Sequence, residues 1–130
     1  AVAASLMLSA LAVCPQRRCV EGGGKYTFYC GTSSSDCREI TSYGTAAVDR
    51  LTLKDICGES VELDNFDLWA FLKKYKAKIE FTEEGEDYVN YYCTADLPYS
   101  VQLYGKTINL HICVRGEKAK AGTPIIFGGY

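Results

Sequence analysis

The apolar and polar positions follow two different periods along the chain. Residues 25–30 alternate and are rich in β-forming side chains, which predicts a first strand. A Ser-rich turn follows, and apolar residues then recur at helical spacing, which predicts a helix over about 36–51. A second helix is expected to begin at the capping residues Asp64 and Asn65. Its apolar stripe is predicted to be Leu68, Trp69, Leu72 and Tyr75.

After residue 78 the period changes from 3.6 to 2, and four strands are expected in succession, with Gly- or Pro-containing connections of hairpin length. Residues 116–123 have the composition of a charged loop, and 124–127 form a short apolar end that can pair at a sheet edge. The predicted fold class is therefore α+β. Two helices are expected to pack on one face of a four- to five-stranded antiparallel sheet stabilised by disulfides.

Composition places the chain among single compact domains. Its 130 residues are 48% apolar, and 14 Lys plus Arg against 16 Asp plus Glu give a net charge of −2. These values argue against a disordered or collagen-like chain, and they give no electrostatic support for RNA as a partner. A single His and the absence of any Cys-x-x-Cys motif leave no expected metal site, and no cofactor is expected either.

The first thirteen residues, AVAASLMLSALAV, are uncharged and rich in small side chains. Thirteen residues are too few to span a bilayer as a helix, and the Ala10-x-Ala12 pattern is typical of signal-peptide cleavage, here after Ala12. The expected organisation is a signal-like segment, 1–13, followed by one secreted domain, 14–130. The alternative is a helix of the mature protein, either buried or packed against a neighbouring subunit.

Seven cysteines in so short a chain indicate disulfides and an extracellular location. An odd number leaves one thiol free or bridged to a second chain as a covalent dimer. The run Leu11-Ala12-Val13-Cys14 is similar to a bacterial lipoprotein box, and lipidation of Cys14 would leave six cysteines to pair. Membrane association is expected only if that lipid is present or segment 1–13 is retained. The disulfide candidates are Cys14, Cys19, Cys30, Cys37, Cys57, Cys93 and Cys113.

Strand alternation also predicts a polar sheet face. If Ile79, Phe81 and the other aliphatic positions point inward, the outward set is Glu80, Asn90, Tyr92, Gln102, Tyr104, Asn109, His111 and Arg115. A ribonuclease could use three of these: Glu80 to take a proton from a ribose hydroxyl, His111 to protonate the leaving oxygen, and Arg115 to stabilise the phosphorus centre. Against this, a lone outward imidazole is expected to be solvent-exposed and without a role.

The same face is rich in tyrosines, which anchor protein interfaces because they combine an apolar body with a polar edge. The predicted binding residues are Tyr88, Tyr92, Tyr99 and Tyr104.

Two family resemblances bear on function. The triplet Phe28-Tyr29-Cys30 after a signal-like segment, followed by a helix and a sheet, resembles the small secreted ribonuclease-like effectors of plant-pathogenic fungi. That resemblance implies a ribonuclease-derived fold whose members mostly lack catalysis and bind host proteins or RNA.

The run from Gly24 to Cys30 and the run from Asp87 to Cys93 resemble the B and F strands of immunoglobulin-like domains. That resemblance implies a recognition module with a Cys30–Cys93 bridge.

The sequence thus predicts a secreted binding protein, effector- or toxin-like, that recognises a macromolecule, preferably a protein, through the tyrosine-rich face. A ribonuclease-like hydrolase and an immunoglobulin-like module are the alternatives.

Overall fold

The computed structural model describes residue 20 and residues 25–31, 38–42 and 55–127. Within these ranges the chain forms nine strands and one short helix, α1 (Leu68–Lys74). The strands are β1 (Tyr26–Cys30), β2 (Arg38–Ser42), β3 (Ile56–Leu63), β4 (Lys78–Glu84), β5 (Val89–Thr94), β6 (Val101–Leu103), β7 (Lys106–Ile108), β8 (Leu110–Arg115) and β9 (Lys118–Thr123).

Seven of these strands form one antiparallel sheet, in the order β2-β1-β3-β9-β8-β5-β4, while β6 and β7 pair only with each other. The sheet joins a three-stranded N-terminal part to a four-stranded C-terminal part through the β3–β9 pairing, which runs from Glu59↔Thr123 to Leu63↔Ala119. The predicted α+β class is therefore wrong, because the described part of the chain is mostly β.

The first predicted helix, 36–51, is contradicted at its start. Residues 38–42 form β2, which pairs with β1 along its whole length. The rest of the predicted helix, residues 36–37 and 43–51, lies outside the described part of the chain. The β-branched Ile40 and Thr41 favour a strand, and pairing with a preformed neighbour outweighs the helical spacing of the apolar positions.

The second predicted helix exists but is shorter and begins later. Asp67, rather than Asp64 or Asn65, is its N-cap, and the Asp67 carboxylate accepts a hydrogen bond from the backbone N–H of Ala70 at 3.2 Å. The helix buries Phe71 and Leu72, while Trp69, predicted to lie on the apolar stripe, is 73% exposed.

The C-terminal half is not the simple meander that the alternation predicts. A two-residue turn at Tyr104-Gly105, where both residues have positive φ, closes the separate β6–β7 hairpin, so β5 pairs directly with β8. The predicted charged loop 116–123 instead contains β9, an internal strand of the sheet. Its inward side chains are Ala119 and Ala121, which are too small to give a strong apolar signal.

The two faces of the sheet have different coverings. On the first, α1 contributes Phe71 and Leu72 to a core with Phe28, Val61 and Ile112. On the second, the 124–127 segment lies directly over the strands, and its Phe127 ring meets Tyr29 edge-on at 4.8 Å.

Two glycines make the close contact on the second face possible. A Cβ atom at Gly122 would lie 2.9 Å from Ile126 Cγ1 and 3.0 Å from the carbonyl oxygen of Ile125. A Cβ atom at Gly58 would lie 2.7 Å from the carbonyl oxygen of Thr123. Because these neighbours include backbone atoms, a side chain at either position would displace the 124–127 segment.

Replacing Gly122 with alanine is therefore expected to lower the free energy of unfolding by about 1–3 kcal/mol, the usual cost of overpacking. Lys118→Ala is the matched control, since Lys118 lies on the same strand and the same face but is exposed. That control should change stability by no more than about 0.5 kcal/mol. Chemical denaturation of the two variants measures both, and equal stabilities would contradict the packing argument.

The disulfide prediction fails wherever the structure describes a cysteine. Cys30, Cys57, Cys93 and Cys113 are all free thiols, while Cys14, Cys19 and Cys37 lie outside the described residues. The Cys30–Cys93 bridge implied by the immunoglobulin resemblance is excluded by geometry. Their strands, β1 and β5, are separated by three others in one sheet, which places the two residues roughly 19 Å apart.

We expect at least four thiols to react with Ellman's reagent in denaturant without reductant. In the native protein Cys93 should react last, because burial, and next the Glu80 carboxylate, raise its pKa to about 12. Peptide mapping after timed alkylation identifies the order of reaction. Fewer than four reactive thiols in the denatured, unreduced chain would contradict the structure.

Candidate functional site

The second face of the sheet carries three rows of side chains across β4, β5 and β8. Register pairs Tyr92 with His111, and the next pair on the same face is Asn90 with Cys113. Tyr88 and Arg115 follow as the third row, with the guanidinium 4.9 Å from the centre of the tyrosine ring. The outer rows are four residues apart along each strand, which corresponds to about 13 Å. Short side chains in the middle row therefore leave a gap between two rows of large ones.

A β-bulge in β4 adds a third ring to the first row. The register shifts between Ile79 and Phe81, so that Ile79 pairs with Cys93 on the core face and Phe81 pairs with Tyr92 on the second face. Phe81 stacks on Tyr92 at 4.6 Å, and Tyr92 stacks on His111 at 4.5 Å. The predicted inward position of Phe81 is wrong because strict alternation cannot anticipate the extra residue.

The gap between the rows is a pocket of about 310 Å³, which we call the slot. Asn90 and Cys113 form its floor, and Ile126 contributes an aliphatic wall. The described residues that line it are Tyr88, Asn90, Tyr92, His111, Cys113, Arg115 and Ile126. A second pocket of about 190 Å³ adjoins the slot and shares Tyr92, His111 and Ile126 with it.

His111 is held by hydrogen bonds on both ring nitrogens. The backbone N–H of Ile126 donates to Nδ1 at 3.1 Å, and Nε2 lies 2.9 Å from Oδ1 of Asn90. Because Nδ1 accepts, the ring proton is on Nε2 and is donated to Asn90. The Asn90 amide in turn donates to Glu83 Oε1 at 3.3 Å, which fixes its orientation.

These contacts keep His111 neutral. Burial lowers its pKa to about 4, and the side chain is only 8% exposed, against the expectation of an exposed imidazole. Protonation at Nδ1 would in addition set two N–H groups, those of the ring and of Ile126, against each other. At neutral pH the His111 ring is therefore uncharged and held in one orientation by its two hydrogen bonds.

Charges at the open end of the slot are paired. Arg115 Nη1 lies 2.8 Å from the Asp87 carboxylate, and the guanidinium covers the Tyr88 ring. Burial raises the pKa of the Cys113 thiol, an effect that Arg115 partly offsets. Burial, and next the Glu83 carboxylate, raise the pKa of Tyr92. The Tyr92 phenol and the Cys113 thiol are consequently uncharged at neutral pH.

The structure brings together some of the predicted site residues and separates others. Tyr88, Tyr92, His111 and Arg115 line the slot, and Tyr104 lines the adjoining pocket, with its ring 5.6 Å from that of Phe81. Tyr99 lines neither pocket. It lies in the connection before β6, where its carbonyl accepts a hydrogen bond from Asn109 at 3.0 Å.

Glu80 does not join the predicted catalytic set. It is the extra residue of the β4 bulge, its carboxylate lies 3.8 Å from Lys78 Nζ, and it acts on the pKa of the core thiol Cys93. Glu80 is on β4 and His111 is on β8, two strands away, with Tyr92 of β5 between them. The proposed proton acceptor therefore does not pair with the imidazole, whose two nitrogens contact Asn90 and Ile126 instead.

Sequence reasoning missed three residues that build the slot. Asn90 was placed on the correct face, but nothing in its local sequence marks it as the partner of His111. Cys113 was assigned to a disulfide, although its spacing from His111 predicts a shared face. Ile126 carries no sequence signal, since its role follows from how the 124–127 segment packs on the sheet.

Comparisons with known proteins identify no relative. No protein-family model, no curated protein and no solved structure matches this chain. In the described ranges, no three His, Cys, Asp or Glu side chains are grouped so as to hold a metal ion. None of the described helical structure has the length and apolar character needed to cross a bilayer.

The buried neutral His111 predicts a loss of stability in acid. Its folded pKa, about 4, is below the ordinary 6.5, so the unfolded chain takes up a proton first as pH falls. The stabilising contribution is complete above about pH 6.5 and is lost towards pH 4, with a size of about 3 kcal/mol. Urea denaturation across this range should give a smaller pH dependence for His111→Gln than for wild type. Parallel curves would contradict the assignment, since the carboxylates titrate in both proteins.

Proposed function

We propose that this chain is a binding protein that recognises a macromolecular partner through its aromatic face, without catalysing a reaction. The aromatic face consists of Phe81, Tyr88, Tyr92, Tyr104 and His111, together with the slot between them. A protein is the favoured partner, since a net charge of −2 gives little attraction to RNA.

The observation that carries this proposal is a concave site surrounded by tyrosines on an ordered sheet. Tyr and Arg are enriched at the energetic centres of interfaces, particularly beside a pocket that a partner side chain can fill. Tyr104, at the tip of the β6–β7 turn, is 87% exposed. With Trp69 it is one of two large apolar side chains exposed to this degree among the described residues.

The protonation state of the site supports binding rather than hydrolysis. General acid catalysis needs a group that can give up a proton near the working pH. His111 is neutral, both of its nitrogens are engaged, and Glu80 is two strands away on β4. The aromatic face therefore lacks the acid–base pair that the ribonuclease-like alternative requires.

An extracellular location for this binding protein remains a prediction. It rests on the signal-like character of residues 1–13. The number of cysteines no longer supports it, because the four described cysteines are free thiols.

Selection from a displayed random-peptide library tests the proposal. We expect selected peptides to bind Tyr104→Asn at least tenfold more weakly than wild type, because the variant removes an exposed anchor. Asparagine suits the positive φ of 50° at this position, so the turn is kept. Trp69→Ala is the matched control, since it removes the other exposed large ring, and it should bind peptides like wild type.

Circular dichroism and thermal unfolding establish that both variants keep the native fold. Peptides that bind wild type and Tyr104→Asn equally, or a selection that yields no specific binder, would overturn the proposal.

A further inference from the structure

The slot has features that identify the kind of group it takes. We infer that it receives one uncharged aromatic ring, presented by a tryptophan or tyrosine side chain of a partner polypeptide. This inference rests on the proposed binding function and specifies the chemistry of its central contact.

The size of the slot suits one aromatic side chain. Its volume, about 310 Å³, lies at the lower limit of pockets that hold whole small-molecule ligands, and the adjoining pocket is smaller, at about 190 Å³. A phenol or an indole side chain fits within this volume.

The walls of the slot are formed by aromatic and aliphatic side chains. Tyr92 and Tyr88 bound the slot along the strand direction, and Ile126 bounds it on the β9 side. Aromatic rings pack favourably against other rings in offset or edge-to-face arrangements, and they lose little conformational entropy on burial. An aromatic side chain therefore gains more from these walls than an aliphatic chain of equal volume.

The described lining offers no countercharge to an ionic ligand. The floor consists of the Asn90 amide and the Cys113 thiol, and the imidazole of His111 in the adjoining row is neutral. All three residues are buried. Arg115 is the one charged residue of the described lining, and its charge is already matched by Asp87 at 2.8 Å. A cation or an anion entering the slot would lose its hydration without an equivalent replacement.

The Asn90 amide at the floor has hydrogen-bonding capacity beyond its two bonds within the protein. Asn90 uses one lone pair of Oδ1 for His111 and one amide hydrogen for Glu83. A side-chain amide offers two lone pairs and two hydrogens, so one of each remains beyond these bonds. The remaining lone pair can accept from an indole N–H or a phenol O–H, which favours Trp or Tyr over Phe.

Small ring probes test the slot directly. The probes are 3-methylindole and p-cresol, the analogues of the Trp and Tyr side chains, with tryptamine and indole-3-acetate as the cationic and anionic counterparts. In titrations followed by amide NMR, we expect the neutral probes to shift Asn90, Cys113 and Ile126 saturably. Their affinity should be at least tenfold higher than that of either charged probe. The inference would be overturned by a charged probe that binds as tightly as the neutral ones. It would also be overturned if the largest amide chemical-shift changes fell outside the slot.

A variant whose side chain fills the slot tests whether the probes bind there. Cys113→Leu adds carbon atoms at the floor and should abolish the probe shifts, while Trp69→Ala should leave them unchanged. Tyr88→Ala is the second variant, since it opens a wall and should weaken the neutral probes even if Cys113→Leu fails to fold. Full probe affinity in a folded Cys113→Leu or Tyr88→Ala protein would contradict the assignment.

The selected peptides identify the source of the ring. We expect alanine replacement of one peptide Trp or Tyr to cost at least tenfold in affinity for wild type and less than twofold for Cys113→Leu. Probe binding without this coupling would mean that the slot takes a free ring, which overturns the inference. Peptides that depend on Tyr104 but bind Cys113→Leu normally would refute the slot assignment and leave the proposed function standing. An absence of Tyr104-dependent peptides refutes the proposed function instead.

Discussion

The 124–127 segment packs closely on the second face of the sheet because it crosses two glycines. Gly58 and Gly122 bring this segment so near the strands that the backbone N–H of Ile126 reaches the ring of His111. That single hydrogen bond determines which nitrogen of His111 carries the proton. It thereby determines which atom of Asn90 faces the ring. The orientation of Asn90 at the floor of the slot thus depends on Gly58 and Gly122, which allow the 124–127 backbone to approach the sheet.

The same region shows why the fold was only partly predictable. The first strand, the second helix and strands β4, β5 and β8 all have strong local patterns, and each is present near its predicted position. Strand β9 has the pattern Lys-Ala-Lys-Ala-Gly, in which alternation is correct but the inward side chains are very small. Ala119 and Ala121 face the core and Gly122 lies beneath the 124–127 segment, while Lys118 is exposed. A strand with so little apolar surface resembles a loop in sequence. Missing β9 means missing the pairing with β3 that joins the two parts of the sheet.

Prediction of the site succeeded as far as strand periodicity extends. Tyr92, His111 and Arg115 were expected on one face, and they share it because β5 and β8 pair in regular register. The prediction failed on β4, where a β-bulge interrupts the alternation. The bulge at Glu80 shifts the alternation of β4 by one residue, so Phe81 lies on the second face and joins the aromatic stack. No local sequence pattern marks a bulge of this kind, because the extra residue is set by the pairing of both strands.

The two hydrogen bonds that fix the His111 ring also prevent it from acting as a general acid or base. An imidazole that donates to Asn90 and accepts from Ile126 cannot exchange a proton with a substrate without breaking one of these bonds. Such a group is unsuited to general acid catalysis. Under the proposed binding function it would instead hold the neighbouring rings in place before a partner arrives, and preorganisation of this kind lowers the entropy lost on association without additional contact area. In that proposal the buried polar network fixes the shape of the face that the exposed tyrosines offer to a partner.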